Sequence, residues 1–302
     1  RFASGGVTVG CPPDFYNQQG QDWGQPPFNP RYLEATGYQV YREMVHSMYE
    51  HAGAVRIDHV LGLFRLWWIP QGLGARNGAY VTYNHEAMLG VLAIEATRAG
   101  GMVVGEDLGT VPDYVRRILA DLGTDVEWFN RVDDSPNAGD PYRAPKDYRK
   151  QALASVTTHD LPPTAGYLNF AHVKLREELH LLSEPVEAFA ASAMAERTAM
   201  MNRLVENGYI SQTVADDVEG HVQEIVEAMH AMLTDTPSLL LQAALVDGVG
   251  ECRSQNQPGT SREYSNWRVP LADSSGHVVH TDEVFDLPRV QSLSAVMRRE
   301  KR

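Results

Sequence analysis

Short β-branched runs that end in charged residues, separated by stretches of helical period, restrict this chain's fold more than any other feature. Ala54-Val55-Arg56-Ile57-Asp58 is the first such run. Helical spacing follows over 86–99, where Met88, Leu89, Val91, Leu92 and Ile94 supply the apolar positions. Met102-Val103-Val104 then leads into Gly105-Glu106-Asp107. Pro112 opens a helix running to Leu122, with Val115, Ile118 and Leu119 on one face and Gly123 at its stop. Further strands are expected over 125–132, over 152–156, leading into Thr157-Thr158-His159-Asp160, and over 239–245 behind Pro237. A helix over 36–51 precedes the series, and a long helical stretch interrupted near 206–210 fills 171–234.

This alternation implies a parallel sheet, because parallel neighbours need a crossover of a dozen or more residues. A doubly wound sheet and a barrel both predict it. Here polar residues cluster at the C-terminal ends of several strands, as on the active face of a (β/α)8 barrel. The fold class read from the sequence is therefore α/β, the C-terminal part of a (β/α)8 TIM barrel at about strands 4–8. About five strands cannot close an eight-stranded barrel. Residues 1–302 are thus expected to form a single incomplete catalytic barrel domain, with about three strands upstream of Arg1. Residues 1–34 are rich in Gly, Pro, Asn and Gln, with Phe15, Tyr16, Trp23 and Phe28 between. They are expected to be a long loop within that domain, and long ordered loops are usually functional.

Charge and composition narrow the partners. Lys and Arg number 26 against 39 Asp and Glu, a formal charge of −13, which argues against nucleic acid, whose binders carry a basic patch. The one dense basic run, Arg298, Arg299, Lys301 and Arg302, suits a solvated helix end. No apolar stretch is long enough to span a membrane, and no leader pattern opens the chain. Two cysteines, Cys11 and Cys252, form no CxxC pair and no disulfide framework, so a reducing cytoplasm is expected.

The chemistry rests on carboxyls. Asp58, Glu106 and Asp160 each follow a predicted strand, about fifty residues apart. In a barrel such ends converge on one pocket, and two carboxyls flanking a scissile bond are the equipment of glycoside cleavage. Arg56 lies two residues before Asp58, on the same strand face, where a cation would keep a nucleophilic carboxylate ionised. The pair could equally be a structural ion pair. His59 and His159 beside Asp58 and Asp160 raise the possibility of a metal, but neither HxH nor HExxH occurs, so no metal is expected. No nucleotide or phosphate motif appears either, and no cofactor is expected. Trp23, Trp67, Trp68, Tyr80 and Tyr83 lie in loop or strand-end contexts, where flat rings suit sugar faces; one of Trp67 and Trp68 is expected to be buried.

These residues resemble a known family. The run from Arg56-Ile57-Asp58-His59 through Trp67-Trp68-Ile69-Pro70 is similar to the nucleophile region of the 4-α-glucanotransferases (amylomaltases or disproportionating enzymes, glycoside hydrolase family 77). Val104-Gly105-Glu106-Asp107-Leu108-Gly109-Thr110-Val111-Pro112 resembles that family's acid/base loop, and Thr158-His159-Asp160-Leu161-Pro162 its third-acid segment. Pro12-Pro13-Asp14-Phe15-Tyr16 through Gly20-Gln21-Asp22-Trp23-Gly24 resembles its substrate loop. Asn256-Gln257-Pro258-Gly259-Thr260 with Ser265-Asn266-Trp267-Arg268 resembles its closing motif. The resemblance implies a barrel related to the α-amylases, acting on α-1,4-glucans and maltooligosaccharides with retention. It implies Asp58 as nucleophile, Glu106 as general acid/base and Asp160 as transition-state stabiliser. Arg56 and His159 would touch the sugar at the cleaved bond, and Tyr16, Trp23 and Asn266 are further expected substrate contacts. The function expected is transfer of glucan segments to a sugar 4-OH. An α-amylase-type hydrolase or a non-catalytic glucan-binding protein are the alternatives. One departure is Leu161-Pro162-Pro163-Thr164, with an extra Pro against the commoner Leu-Pro-Thr.

Overall fold

The β-branched runs form strands, and those predicted from the alternation pair in parallel. The structure is a computed structural model that describes residues 3–14, 17–107, 111–122, 124–128 and 139–298. The chain divides into two compact units, Arg1–Val126 and Glu127–Arg302.

In chain order the first unit holds β1 (Val7–Cys11), β2 (Gln21–Asp22), α1 (Pro30–Ala35), α2 (Gln39–Tyr49) and β3 (Ala54–Ile57). Next come β4 (Arg65–Pro70), β5 (Ala79–Thr82), α3 (His85–Ala99), β6 (Met102–Gly105) and α4 (Asp113–Leu122). The following strand, β7 (Thr124–Trp128), straddles the division. Strands β3 and β6 run parallel, Arg56 opposite Val104 and Ile57 opposite Gly105. Strand β6 pairs in parallel with β7 through Thr124 and Asp125. The part of the expected 125–132 strand beyond Trp128 lies outside the described residues.

α3 shows why these helices form. Asn84 caps its start, its side chain accepting from Ala87 N at 3.2 Å, and Gly100 ends it in the left-handed region at φ 62°. Its buried Met88, Leu89 and Leu92 join Tyr41 and Val45 of α2, together with Val60, Leu61, Phe64 and Val115, in one apolar core. Each large side chain buried there contributes about 1.5–3 kcal/mol. The helix expected over 36–51 is α2, which starts at Gln39 because Tyr38 before it takes a left-handed backbone; the short α1, capped at its end by Thr36, precedes it within the stretch expected to be loop.

A second sheet departs from the expectation of a long loop over 1–34. Strands β2, β1, β4 and β5 form an antiparallel sheet in that order, with Val9 opposite Trp68 and Trp67 opposite Tyr80. The β-branched Val7-Thr8-Val9 run carries β1, although the Gly- and Pro-rich surroundings disguise it. Gly10 is required where β2 crosses, because a Cβ there would lie 1.9 Å from the Gln21 carbonyl oxygen. Trp67 and Trp68 point to opposite faces of β4. Trp68 packs on the core, while Trp67 donates to Ala75 O at 2.8 Å and meets Tyr80 edge-on; both are partly buried.

The second unit continues with β8 (Ala152–Ser155), α5 (Thr164–Leu168), α6 (Ala171–Glu178), α7 (Val186–Glu206) and α8 (Gln212–Asp216). Then follow α9 (Val222–Thr234), β9 (Leu240–Gln242), α10 (Leu245–Val249) and α11 (Pro288–Val296). Strands β8 and β9 are parallel, Leu153 opposite Leu240. The long helical stretch is broken between α6 and α7 as well as after Glu206. Its core joins Leu168, Met200, Leu204, Ile225, Met229 and Leu233.

Candidate active site

In the first unit the β3–β6 register does most of the positioning. Because Ile57 stands opposite Gly105, the next residues, Asp58 and Glu106, leave adjacent parallel strands at matching positions. The ladder continues past the strand ends, Glu106 N donating to Ile57 O and Val60 N to Glu106 O, both at 2.9 Å. Neighbouring strands lie about 4.8 Å apart, so the two acids start side by side.

Their surroundings differ. Asp58 is exposed and accepts from Arg56 Nη1 at 2.5 Å, two residues back on the same face. Glu106 is buried, and its Oε2 accepts from the backbone N–H of His59 at 2.8 Å. His59 holds a left-handed backbone, φ 49°, which turns that N–H toward the carboxylate. Burial keeps the His59 imidazole below its ordinary pKa, against the opposing pull of Asp58, so the ring is neutral at neutral pH. Trp23 stands edge-on to His59, ring centroids 5.0 Å apart. The arrangement offers an ion-paired carboxylate beside a buried carboxyl, the complement needed for nucleophilic and acid/base work on one bond.

Asp160, in the second unit, is held differently. It sits in a turn five residues beyond the end of β8, not at the strand end itself. Leu161 N donates to Thr158 O, and Thr157 Oγ1 to Pro162 O at 3.0 Å. The second proline, Pro163, immediately precedes α5. The buried Asp247 of α10 anchors that helix, accepting from Thr164 N at 2.8 Å and Thr164 Oγ1 at 2.7 Å. Burial pushes the Asp247 pKa up, opposed by His230, whose Nε2 lies 3.8 Å away, and by the Thr164 bonds. Asp160 itself takes a bond from Asn256 Nδ2 at 2.7 Å and lies 3.1 Å from His159 Nε2.

Asn256 rides on a segment tied down by Glu251. That buried carboxylate accepts from the backbone N–H groups of Cys252, Arg253 and Ala272 and from Arg253 Nε and Nη2, all at 2.7–3.0 Å. Burial raises its pKa, but the Arg253 and Ala272 contacts outweigh this and hold it below the usual carboxylate range.

The structure thus brings Arg56, Asp58, Glu106 and Trp23 into one neighbourhood of the first unit, and His159 and Asp160 into one of the second. Tyr16 lies outside the described residues. The amide of Asn266 is engaged within its own loop, accepting from Gln257 N at 2.8 Å and donating to Thr260 Oγ1 at 2.8 Å. It is Asn256 that reaches the acid. Sequence reasoning missed Asn256, Asp247 and Glu251. Asn256 stands in the Asn-Gln-Pro-Gly-Thr run already noted, which is the signal that could have found it.

Comparison with known proteins gives concordant findings. A family model described as 4-alpha-glucanotransferase matches residues 2–275. The chain is similar to a 4-alpha-glucanotransferase of Mycobacterium tuberculosis, 50% identical over 296 residues, covering 97% of this chain and 40% of that protein. It is also similar to the crystal structure of an amylomaltase from Corynebacterium glutamicum, with TM-score 0.87, 39% identity, and 98% of this chain and 42% of that one covered. A more distant neighbour, an amylomaltase from Streptococcus agalactiae in complex with acarbose, shares the fold at TM-score 0.64 and 18% identity, covering 96% of this chain and 50% of that one. The chain therefore spans less than half the length of the curated relative compared.

Proposed function

This chain belongs to the 4-alpha-glucanotransferase family, and on that premise we propose that the protein carrying it transfers α-1,4-glucan segments to the 4-OH of an acceptor glucan or glucose. The observation that carries the reading is the pairing of Asp58 and Glu106 on adjacent parallel strand ends, one ion-paired to Arg56 and the other buried. Acids that leave neighbouring strands side by side suit the close carboxyl pair of retaining enzymes, about 5–5.5 Å apart, better than the wider inverting arrangement.

Asp58 attacks the anomeric carbon as Glu106 protonates the departing oxygen, and a covalent glycosyl-enzyme forms. Glu106, now a carboxylate, takes the proton of the incoming 4-OH as that oxygen displaces Asp58, so the configuration is retained. Asp160 braces the positive charge that develops on the sugar, with Arg56 and His159 as contacts to the same ring. Trp23, Tyr16 and Asn266 are proposed contacts to further sugars. The binding of acarbose by the distant structural neighbour supports an oligosaccharide ligand.

The finer fold follows the same reading. Strands β3, β6, β7, β8 and β9 are proposed as strands four to eight of a (β/α)8 barrel, with the first three supplied by the remainder of the longer protein. A reducing cytoplasm suits Cys11 and Cys252, neither of which is in a disulfide. Among the described residues no helix is long and apolar enough to cross a membrane.

Incubating the full-length protein with maltotriose tests the transferase reading. Glucose and longer maltooligosaccharides should appear while total reducing ends stay constant. A steady rise in reducing ends would replace transferase by hydrolase, and binding without turnover would leave only a glucan-binding protein.

A further inference from the structure

Trp267 is the residue whose placement nothing in the mechanism above explains. Its side chain is among the largest apolar surfaces in the protein, yet the residue is 64% exposed. Its backbone lies in the left-handed region at φ 61°, an outlying conformation for a bulky side chain. A residue gaining neither burial nor an easy backbone needs its surroundings to hold it there.

Those surroundings are well defined. The Trp267 N–H donates to Gln255 O at 2.8 Å. Asn266, one residue earlier, clamps the loop by accepting from Gln257 N and donating to Thr260 Oγ1. Thr260 Oγ1 donates in turn to Gln257 O at 2.7 Å, and Tyr264 OH to Ser254 O at 2.6 Å. The same segment carries Asn256, whose amide bonds Asp160. The indole ends up tilted at 39° to the His159 ring, centroids 5.6 Å apart. His159 covers only part of it.

An indole face held in water beside a carboxylate and an imidazole is complementary to a pyranose ring. The ring's C–H groups lie on the flat apolar surface, and its hydroxyls meet the polar neighbours. We propose that Trp267 is a specificity-determining residue on which a glucosyl unit of the α-1,4-glucan stacks next to the unit contacted by Asp160. This rests on the glucan-acting reading given above. Loss of the indole weakens hold on the chain without touching a reacting atom, so the effect falls on KM and on binding, with kcat little altered.

The test uses the full-length protein and three variants: Trp267→Ala, Trp267→Phe and Trp267→Gly. Glycine accepts the positive φ freely, so Trp267→Gly removes the ring without straining the loop. Maltoheptaose binding is measured by calorimetry and maltotriose disproportionation by product analysis, with melting curves to verify folding. Trp267→Ala and Trp267→Gly should both raise KM and Kd about tenfold or more with kcat within about threefold, and Trp267→Phe should recover most of the loss. A Trp267→Gly protein with unchanged KM and Kd would overturn the proposal. So would a loss confined to Trp267→Ala, which would mark a purely conformational role. Wild-type protein that binds maltoheptaose but does not disproportionate maltotriose would instead remove the transferase reading, leaving the binding comparison to decide on Trp267.

Discussion

The first unit positions its acids with backbone, the second with side chains. Asp58 and Glu106 follow directly from a parallel ladder whose hydrogen bonds continue through Val60. Asp160 lies in a turn well past its strand, and what fixes it is a set of side-chain bonds from Asn256, Thr158 and, behind α5, Asp247. A ladder is repeated along its length, so losing one contact leaves the others. A side-chain clamp fails at the residue that makes it. The second neighbourhood should therefore be the more easily damaged from a distance, and it is also the one that can be retuned without disturbing the sheet.

Removing the reacting group itself tests the strand-borne side most severely. Asp58→Asn is expected to lower kcat about ten-thousand-fold while maltoheptaose binding persists, as read by single-turnover kinetics and calorimetry. Near-normal turnover would dislodge Asp58 from its proposed role.

Acid should next expose a weakness in the second unit. His172 is buried against Tyr167 and Phe189, and burial with help from Arg176 pushes its pKa down to about 3. The unfolded chain binds a proton near pH 6.5 that the folded one refuses, so stability is present above that pH and falls as the solution is acidified toward pH 3. The loss attributable to this group is about 3 kcal/mol by pH 4. His172→Leu should flatten that slope in denaturant titrations at pH 4 and pH 7. An unchanged slope would mean that the ring reaches solvent.

The clamp is probed by Glu251→Gln. Glutamine keeps the size but loses the charge that draws Arg253 and three backbone N–H groups together. About 2 kcal/mol of stability should be lost, discounted because Arg253 is half-exposed, and KM should rise as the Asn256 segment loosens. A change in the melting point without any change in KM would show that Asn256 is held independently of Glu251.

The smallest effect is expected on the ladder. A Cβ at Gly105 would lie 3.0 Å from Val60 Cγ2, so Gly105→Ala displaces Val60 by a few tenths of an ångström. That should cost about 1 kcal/mol, with kcat reduced only a few-fold. A larger loss than that of Glu251→Gln would reverse the contrast drawn between the two regions.

The sequence made the parallel strands readable because short β-branched runs, which suit a pleated surface, mark them in Ala54–Ile57 and Met102–Gly105. The antiparallel sheet was harder to see. Its β1 lies in a Gly- and Pro-rich stretch, and the aromatic residues of β4 and β5 read as loop-borne binding groups before Trp67 and Tyr80 are found paired across strands. Asp58 and Glu106 were visible because strand ends announce them. Asp247 and Glu251 were not, since a lone carboxylate in a short helix or loop carries no periodicity. Their role exists only through Thr164 and Ala272, which tertiary folding brings to them. Choosing between Asn256 and Asn266 required the same information.

The hydrogen bond from His59 N–H to Glu106 Oε2 ties the proposed acid to the strand end that carries the proposed nucleophile. Because that donor belongs to the residue directly after Asp58, one peptide link sets both where the attacking oxygen stands and how the neighbouring carboxyl is turned. A shift of that link would misplace both groups at once, and no substitution confined to either carboxyl side chain could restore the pair.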